Sequence, residues 1–119
     1  MAERSASIEK IETFKDDAHV ITWTGLTNGD TGSSIEMPGS SDRSIQFSGT
    51  FGAGGTIQAQ GSNDGSNWIV LTDLQGNSIS KTSASIEMIT EVTRHIRVEV
   101  TAGDGTTDLT ATLLLKRVQ

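Results

Sequence analysis

From Arg43 to Phe51 the chain alternates without a break: Ile45, Phe47, Gly49 and Phe51 take one set of positions, and Ser44, Gln46, Ser48 and Thr50 take the other. Successive side chains on a strand point to opposite faces, so this segment predicts a strand with one face in a core and one in water. The same period recurs in Thr56–Gln60 and in His95–Val100, with Ile96, Val98 and Val100 inward and His95, Arg97 and Glu99 outward. In Asp108–Lys116, Leu109, Ala111, Leu113 and Leu115 share a face. Leu114 interrupts the opposite, polar one and is expected to sit against a neighbour or a second layer. Val20–Thr24, Trp68–Thr72 and Ile86–Val92 are weaker strands, and Ile79 marks a short one.

Turn chemistry punctuates these runs. Gly61-Ser62-Asn63-Asp64-Gly65-Ser66-Asn67-Trp68 is rich in residues that tolerate positive φ, and it predicts a hairpin turn with Trp68 opening the return strand. Asn28–Gly32 and Gly103–Thr107 repeat that punctuation. Gly52-Ala53-Gly54-Gly55 is expected to close an antiparallel hairpin between its flanking strands, and Gly103–Thr107 to join a long C-terminal hairpin. About eight short strands joined this way predict an all-β fold, a two-sheet β-sandwich of jelly-roll type.

Residues Met1 to Asp17 break the period. They are charged and place Ile8, Ile11 and Phe14 at a spacing that suits about two turns of helix. An isolated helix that short is marginal in water. The segment is therefore expected to be an N-terminal arm, residues 1–17, that orders against a partner or against the sandwich of residues 18–119. Ile8, Ile11 and Phe14 are the candidate partner contacts.

Composition narrows the classes of function. A chain of 119 residues makes about one domain. With 34% hydrophobic and 4% aromatic residues, its core must rest on Ile, Val, Leu and Ala around two Trp and three Phe. Such a thin core favours burial completed by assembly. The formal net charge of −6 leaves no extended basic footprint for phosphates, so nucleic acid is not expected as a direct partner. The absence of Cys removes disulfides, thiol nucleophiles and Cys-ligated zinc. No signal sequence opens the chain and no apolar run approaches the ~20 residues of a membrane span, so a soluble protein made in the cytoplasm is expected.

The chemical motifs of nucleophile elbows, phosphate loops and zinc proteases do not occur, and no catalytic, cofactor-binding or metal-binding residue is assigned. His19 and His95 read as solvated surface residues. Asp30, Asp64, Asp104 and Asp108 lie in Gly-rich turns where carboxylates can gather calcium, but Asp also favours turns for its own hydrogen bonds, the commoner case. Trp68 suits either a sugar-stacking platform or a cap on the core, the cap being favoured. Trp23 shares a face with Ile21 and reads as core or subunit interface. Dispersed acids on a sandwich remain the enzymatic alternative, which the chain is not expected to follow.

The run Gly61 to Leu71, followed by Thr93-Arg94-His95-Ile96-Arg97-Val98 and Ala102-Gly103-Asp104-Gly105-Thr106-Thr107, resembles small structural proteins of tailed-phage virions. In particular it is similar to head decoration, or cement, proteins with jelly-roll-like folds. The first part also resembles a hairpin of discoidin-type carbohydrate-binding sandwiches. The resemblance covers roughly the C-terminal half and transfers no functional residue. It implies a protein on the outer capsid surface of a virion, made in the host cytoplasm and needing no cofactor. Its implied partners are the major capsid protein and further copies of itself, as a dimer or trimer. A carbohydrate-binding module or a tail or fibre component is the alternative.

Overall fold

The structure, a computed structural model, describes residues 2–10 and 18–117. These form twelve strands: β1 (Glu3–Arg4), β2 (Ala6–Lys10), β3 (Ala18–Leu26), β4 (Thr31–Gly32), β5 (Ile35–Glu36), β6 (Asp42–Thr50), β7 (Thr56–Ser62), β8 (Ile69–Val70), β9 (Ser80–Lys81), β10 (Ser85–Met88), β11 (His95–Ala102) and β12 (Asp108–Lys116). Every long strand sits where alternation predicts one. The number exceeds the expected eight by β1 and β2, which lie in the segment expected to be an arm, and by β4 and β5, which at two residues each are too short to carry a readable period.

The strands pair into two sheets packed as a β-sandwich. A five-stranded sheet runs β10-β6-β12-β3-β2 and is antiparallel throughout. In the seven-stranded sheet, β7 and β11 pair in the middle; β4 and β5 share the free side of β11, and β8 and β9 share the free side of β7. β1 completes this sheet with a parallel pairing to β4. Split, short edges offer little continuous backbone for unwanted pairing with another chain.

The core lies between the sheets. Ile21, Trp23, Ile45, Phe47, Leu109, Ala111, Leu113 and Leu115 come from the five-stranded sheet, and Ile57, Ala59, Ile96, Val98 and Val100 face them from the other. Among the described residues, Trp23 and Phe47 are the two Trp or Phe side chains that are fully buried. The Trp23 indole N–H donates to the Ser33 carbonyl at 2.9 Å, which settles it as core. Gly32 runs so close beneath the indole that a Cβ there would stand 2.7 Å from the ring.

Two expected hairpins are instead corners. β6 belongs to the five-stranded sheet and β7 to the seven-stranded one, and the same holds for β12 and β11. The segments 51–55 and 103–107 therefore carry the chain across the sandwich. Alternation continues through each corner because both sheets turn their apolar positions toward one core, so the period alone cannot distinguish crossing from returning. The Gly61–Trp68 turn does close a hairpin, with Gln60 opposite Val70 and Gly61 opposite Ile69.

The N-terminal segment also departs from expectation. Residues Ala6–Lys10 do not form helical turns but a strand antiparallel to β3, and Glu3–Arg4 pair in the other sheet. This part of the expected arm thus bridges both sheets at Ser5. Pairing along the open edge of β3 satisfies the backbone groups that face it on both strands, whereas two helical turns satisfy few. Ile11 and Phe14 lie outside the described residues.

Phe47 is wholly enclosed, so Phe47→Ala leaves a cavity in the shared layer. The expected loss is ~3–5 kcal/mol, read from urea unfolding midpoints. A near-neutral result would refute the assigned facing of β6.

Candidate functional site

At the corner end of the sandwich, carboxylates hold the loops together. Asp104 accepts from the Ala53 backbone N–H at 2.9 Å, and from the Thr106 N–H and hydroxyl at 2.9 and 2.7 Å. The Thr107 hydroxyl donates to the Phe51 carbonyl at 2.7 Å, so the two corners are cross-linked. Gly52 adopts φ +73°, and any side chain there would run into Asp104, Thr106 and Thr107. The Asp104 carboxyl is held down at about 2 by these donors, the Thr106 hydroxyl first.

Asp30 is buried beside them. Its Oδ2 accepts from the Thr27 N–H at 2.9 Å, the Thr27 hydroxyl at 2.8 Å and Arg4 Nε at 2.8 Å. Burial pushes this carboxyl up, but the Thr27 backbone, Arg4 and the Thr27 hydroxyl outweigh it and bring it to about 2. Arg4 thereby anchors β1, on one sheet, to the turn after β3, on the other.

At the opposite end, Asp64 organises the hairpin turn. It accepts from the Ser62 hydroxyl, the Ser66 and Asn67 N–H groups and the Asn67 side-chain amide, all within 2.9 Å. These bonds, the Asn67 N–H foremost, hold its carboxyl far below the usual range. Beyond the turn, Trp68 lies half-buried on the outer face of the seven-stranded sheet, with the Arg97 guanidinium 4.1 Å from its ring centroid. Gln60 joins Arg97 to Glu99, accepting from Arg97 Nε at 2.9 Å and donating to Glu99 at 2.8 Å. The His95 ring is 6.3 Å from that of Trp68. Trp68 is thus neither a core cap nor a bare platform, since a cation covers one face of its ring.

Beside this turn, Gly61, Ser62, Asn63, Asn67, Ile69, Leu71, Glu91 and Thr93 line an open cleft of about 170 Å³, smaller than the ~300 Å³ at which small-molecule sites begin. Its one carboxylate, Glu91, is engaged by the Thr72 N–H at 2.8 Å and the Thr72 hydroxyl at 2.6 Å. Burial raises Glu91, yet Thr72 brings it below its ordinary value. Among the described residues, no three of His, Asp and Glu gather where a metal ion could sit. Asp30, Asp64 and Asp104 turn their oxygens toward N–H and O–H donors, the hydrogen bonding for which Asp is favoured in turns.

Sequence reasoning missed Arg43, the second largest side chain in the interior. Its guanidinium donates to the carbonyls of Ser40 at 2.8 Å, Met37 at 3.3 Å and Thr93 at 2.8 Å, and to the Thr93 hydroxyl at 3.3 Å. Burial alone lowers its pKa. The cation ties the segment before β6 to the one before β11, a structural role with no signal in the local pattern. His19 and His95 are half-buried, against the expectation of solvated residues, and His19 Nδ1 is buried without a partner among the described residues. Of the predicted partner contacts, Ile8 is 58% exposed on edge strand β2, directly opposite buried Ile21.

No known family and no curated protein matches the sequence. The fold is similar to the SPBc2 prophage-derived protein YomS, with a TM-score of 0.62 at 13% identity, covering 82% of this chain and 93% of that one. It is also similar to Peruvianin-I, a cysteine peptidase from Thevetia peruviana latex, with a TM-score of 0.48 at 11% identity, over 94% of this chain and 61% of that one. The second likeness is too distant to bear on activity. The first shows a shared sandwich that spans nearly the whole of the other protein.

Two outcomes follow for these networks. Arg43→Leu strands three carbonyls that the guanidinium satisfied, and the expected loss is about 3 kcal/mol or more in urea unfolding. For Asp30, the folded carboxyl lies below its unfolded value, so its contribution is complete above about pH 4 and is lost as pH falls toward about 2. Unfolding midpoints should drop across that window, and Asp30→Asn should make the drop shallower while lowering stability at pH 7.

Proposed function

We propose that this chain is a structural protein of a tailed-phage virion that binds the outer surface of the capsid shell and bridges neighbouring capsomers, stabilising the expanded shell. The observation that carries the proposal is the sandwich shared, over 82% of this chain and 93% of the other, with a prophage-derived protein. The likeness in turn and strand residues to head decoration proteins supports it from the sequence side.

Bridging needs a rigid body with contacts on more than one side. The cross-linked corners and the buried Arg43 supply rigidity, because loops tied by buried charges and short hydrogen bonds resist displacement. Contacts made to two capsomers at once must all break before the capsomers part, so modest individual contacts suffice when they are linked. Binding the expanded shell in preference to its precursor also shifts the shell toward expansion. Ile8, with Ile11 and Phe14, is the proposed apolar anchor, and the exposure of Ile8 on edge strand β2 supports that reading.

Trp68 favours a second reading, carbohydrate binding, because the half-buried indole lies among the polar groups of Gln60, His95, Arg97 and Glu99. The two readings separate in co-sedimentation with purified, expanded, undecorated capsids. Saturable binding at a fixed ratio per capsomer is expected, weakened by Ile8→Lys and unchanged by Trp68→Phe. Ile8→Lys is preferable to truncation, since residues 2–10 carry edge strands of both sheets. No binding to shells would overturn the proposal, and glycan-dependent quenching of Trp68 fluorescence would then support the alternative.

A further inference from the structure

The two outer faces of the sandwich differ in chemistry. On the seven-stranded sheet, His95, Arg97, Glu99 and Gln60 point outward. On the five-stranded sheet, one row in register across all strands reads Glu9, Val20, Leu114, Ser44, Met88, and the next reads Ser7, Thr22, Thr112, Gln46, Ile86. These positions alternate with the buried Ile21, Leu113, Ile45 and Phe47, so they face outward. The two rows hold one charge, Glu9, on the edge strand furthest from β10.

Three large apolar side chains cluster here in the open: Ile86 at 64% exposure, Met88 at 43% and Leu114 at 40%. Ser44, small and on the strand between Leu114 and Met88, forms the floor of a groove of about 210 Å³, with Asp42 and Arg43 at its margin. Ridge and groove therefore occur in one patch, which is the condition for a surface that meets its own copy about a two-fold axis.

We propose that this face is the interface of a two-fold dimer, in which Met88 of each copy enters the Ser44 groove of the other. Charge favours a second copy as the occupant. Chains carrying −6 repel one another, and they approach with least repulsion through a face whose two central rows hold one charge and whose next row sets Lys116 opposite Asp42. Size agrees as well: β3, β6 and β12 with nine residues each, β2 with five and β10 with four give a face of about 570 Å² per copy, so a dimer clears the ~1,000 Å² total of a specific interface. Methionine suits the knob, since its unbranched chain adapts to an irregular groove. The dimer requires no shell, so its test is independent of the capsid proposal.

Sedimentation equilibrium of the full chain over a wide concentration range tests it. A mass of twice 12.6 kDa is expected. Met88→Lys and Leu114→Lys should each weaken association about tenfold or more, while Leu74→Lys, an exposed position on a loop of the other sheet, leaves it intact. Because the chain has no cysteine, Ser44→Cys protein mixed with Met88→Cys protein should oxidise to a mixed disulfide dimer in excess over either protein alone, a readout that survives if a lysine variant misfolds. A monomer throughout, a closed trimer, a dimer indifferent to both lysine variants, or no excess of mixed disulfide would each overturn the proposal. So would a monomer that loses capsid binding with Met88→Lys, which would assign the face to the shell protein.

Discussion

One apolar layer, shared by two sheets, is the constraint from which the rest of the molecule follows. β3, β6 and β12 press Ile21, Trp23, Phe47 and Leu113 against Ile57, Val98 and Val100 of β7 and β11, and with so few aromatics no position in that layer is spare. The chain must also pass from one sheet to the other wherever consecutive strands lie in different layers. Crossing exposes backbone that no ladder can pair, and this is where the carboxylates act. Asp104 and Thr107 satisfy the two corners, and Asp30 with Arg4 ties the turn after β3 to β1. The acidic turns are thus the seams of the sandwich.

That division explains what was legible in the sequence. Burial alternates along most of β6, β11 and β12 and through the first half of β7, so Asp42–Thr50, Thr56–Ser62, His95–Ala102 and Asp108–Lys116 could be placed to within a residue or two from the pattern. Pairing is a different property. A glycine-rich segment that reverses the chain looks the same whether it returns along its own sheet or crosses to the other, so the corners at 51–55 and 103–107 read as hairpins. The Gly61–Trp68 hairpin was legible because Asn63, Asp64 and Gly65 build a tight self-bonded turn with no room for a crossing. Ile8 misled for a related reason: one apolar residue on an edge strand has no alternating neighbours strong enough to overrule a helical spacing.

The side-chain networks were the least legible part. Nothing near Arg43 marks it as interior, because its acceptors are carbonyls brought from residues 37–40 and from Thr93 by the fold itself. Arg97 and Trp68 are far apart in sequence and meet through the β7–β8 and β7–β11 pairings. Leu114 carried a genuine signal. A large apolar residue in a polar register contributes nothing to the core it turns away from, so its presence points to contact outside the sandwich.

The contrast between the outer faces bears on assembly more directly than the fold does. A face already cross-linked by Arg97, Gln60 and Glu99 has its donors and acceptors engaged with one another, and binding there must first compete with those bonds. The opposite face holds Thr, Ser and Gln side chains between Ile86, Met88 and Leu114. Burying its two central rows removes apolar area from water while involving one charge, Glu9 at the edge. The two surfaces therefore suit different duties, one durable contact through the apolar centre of the five-stranded sheet and other contacts through loops and edges such as β2. A molecule that bridges a lattice needs that separation. If the same patch served both self-association and attachment, each would exclude the other, and no copy could hold two neighbours at once.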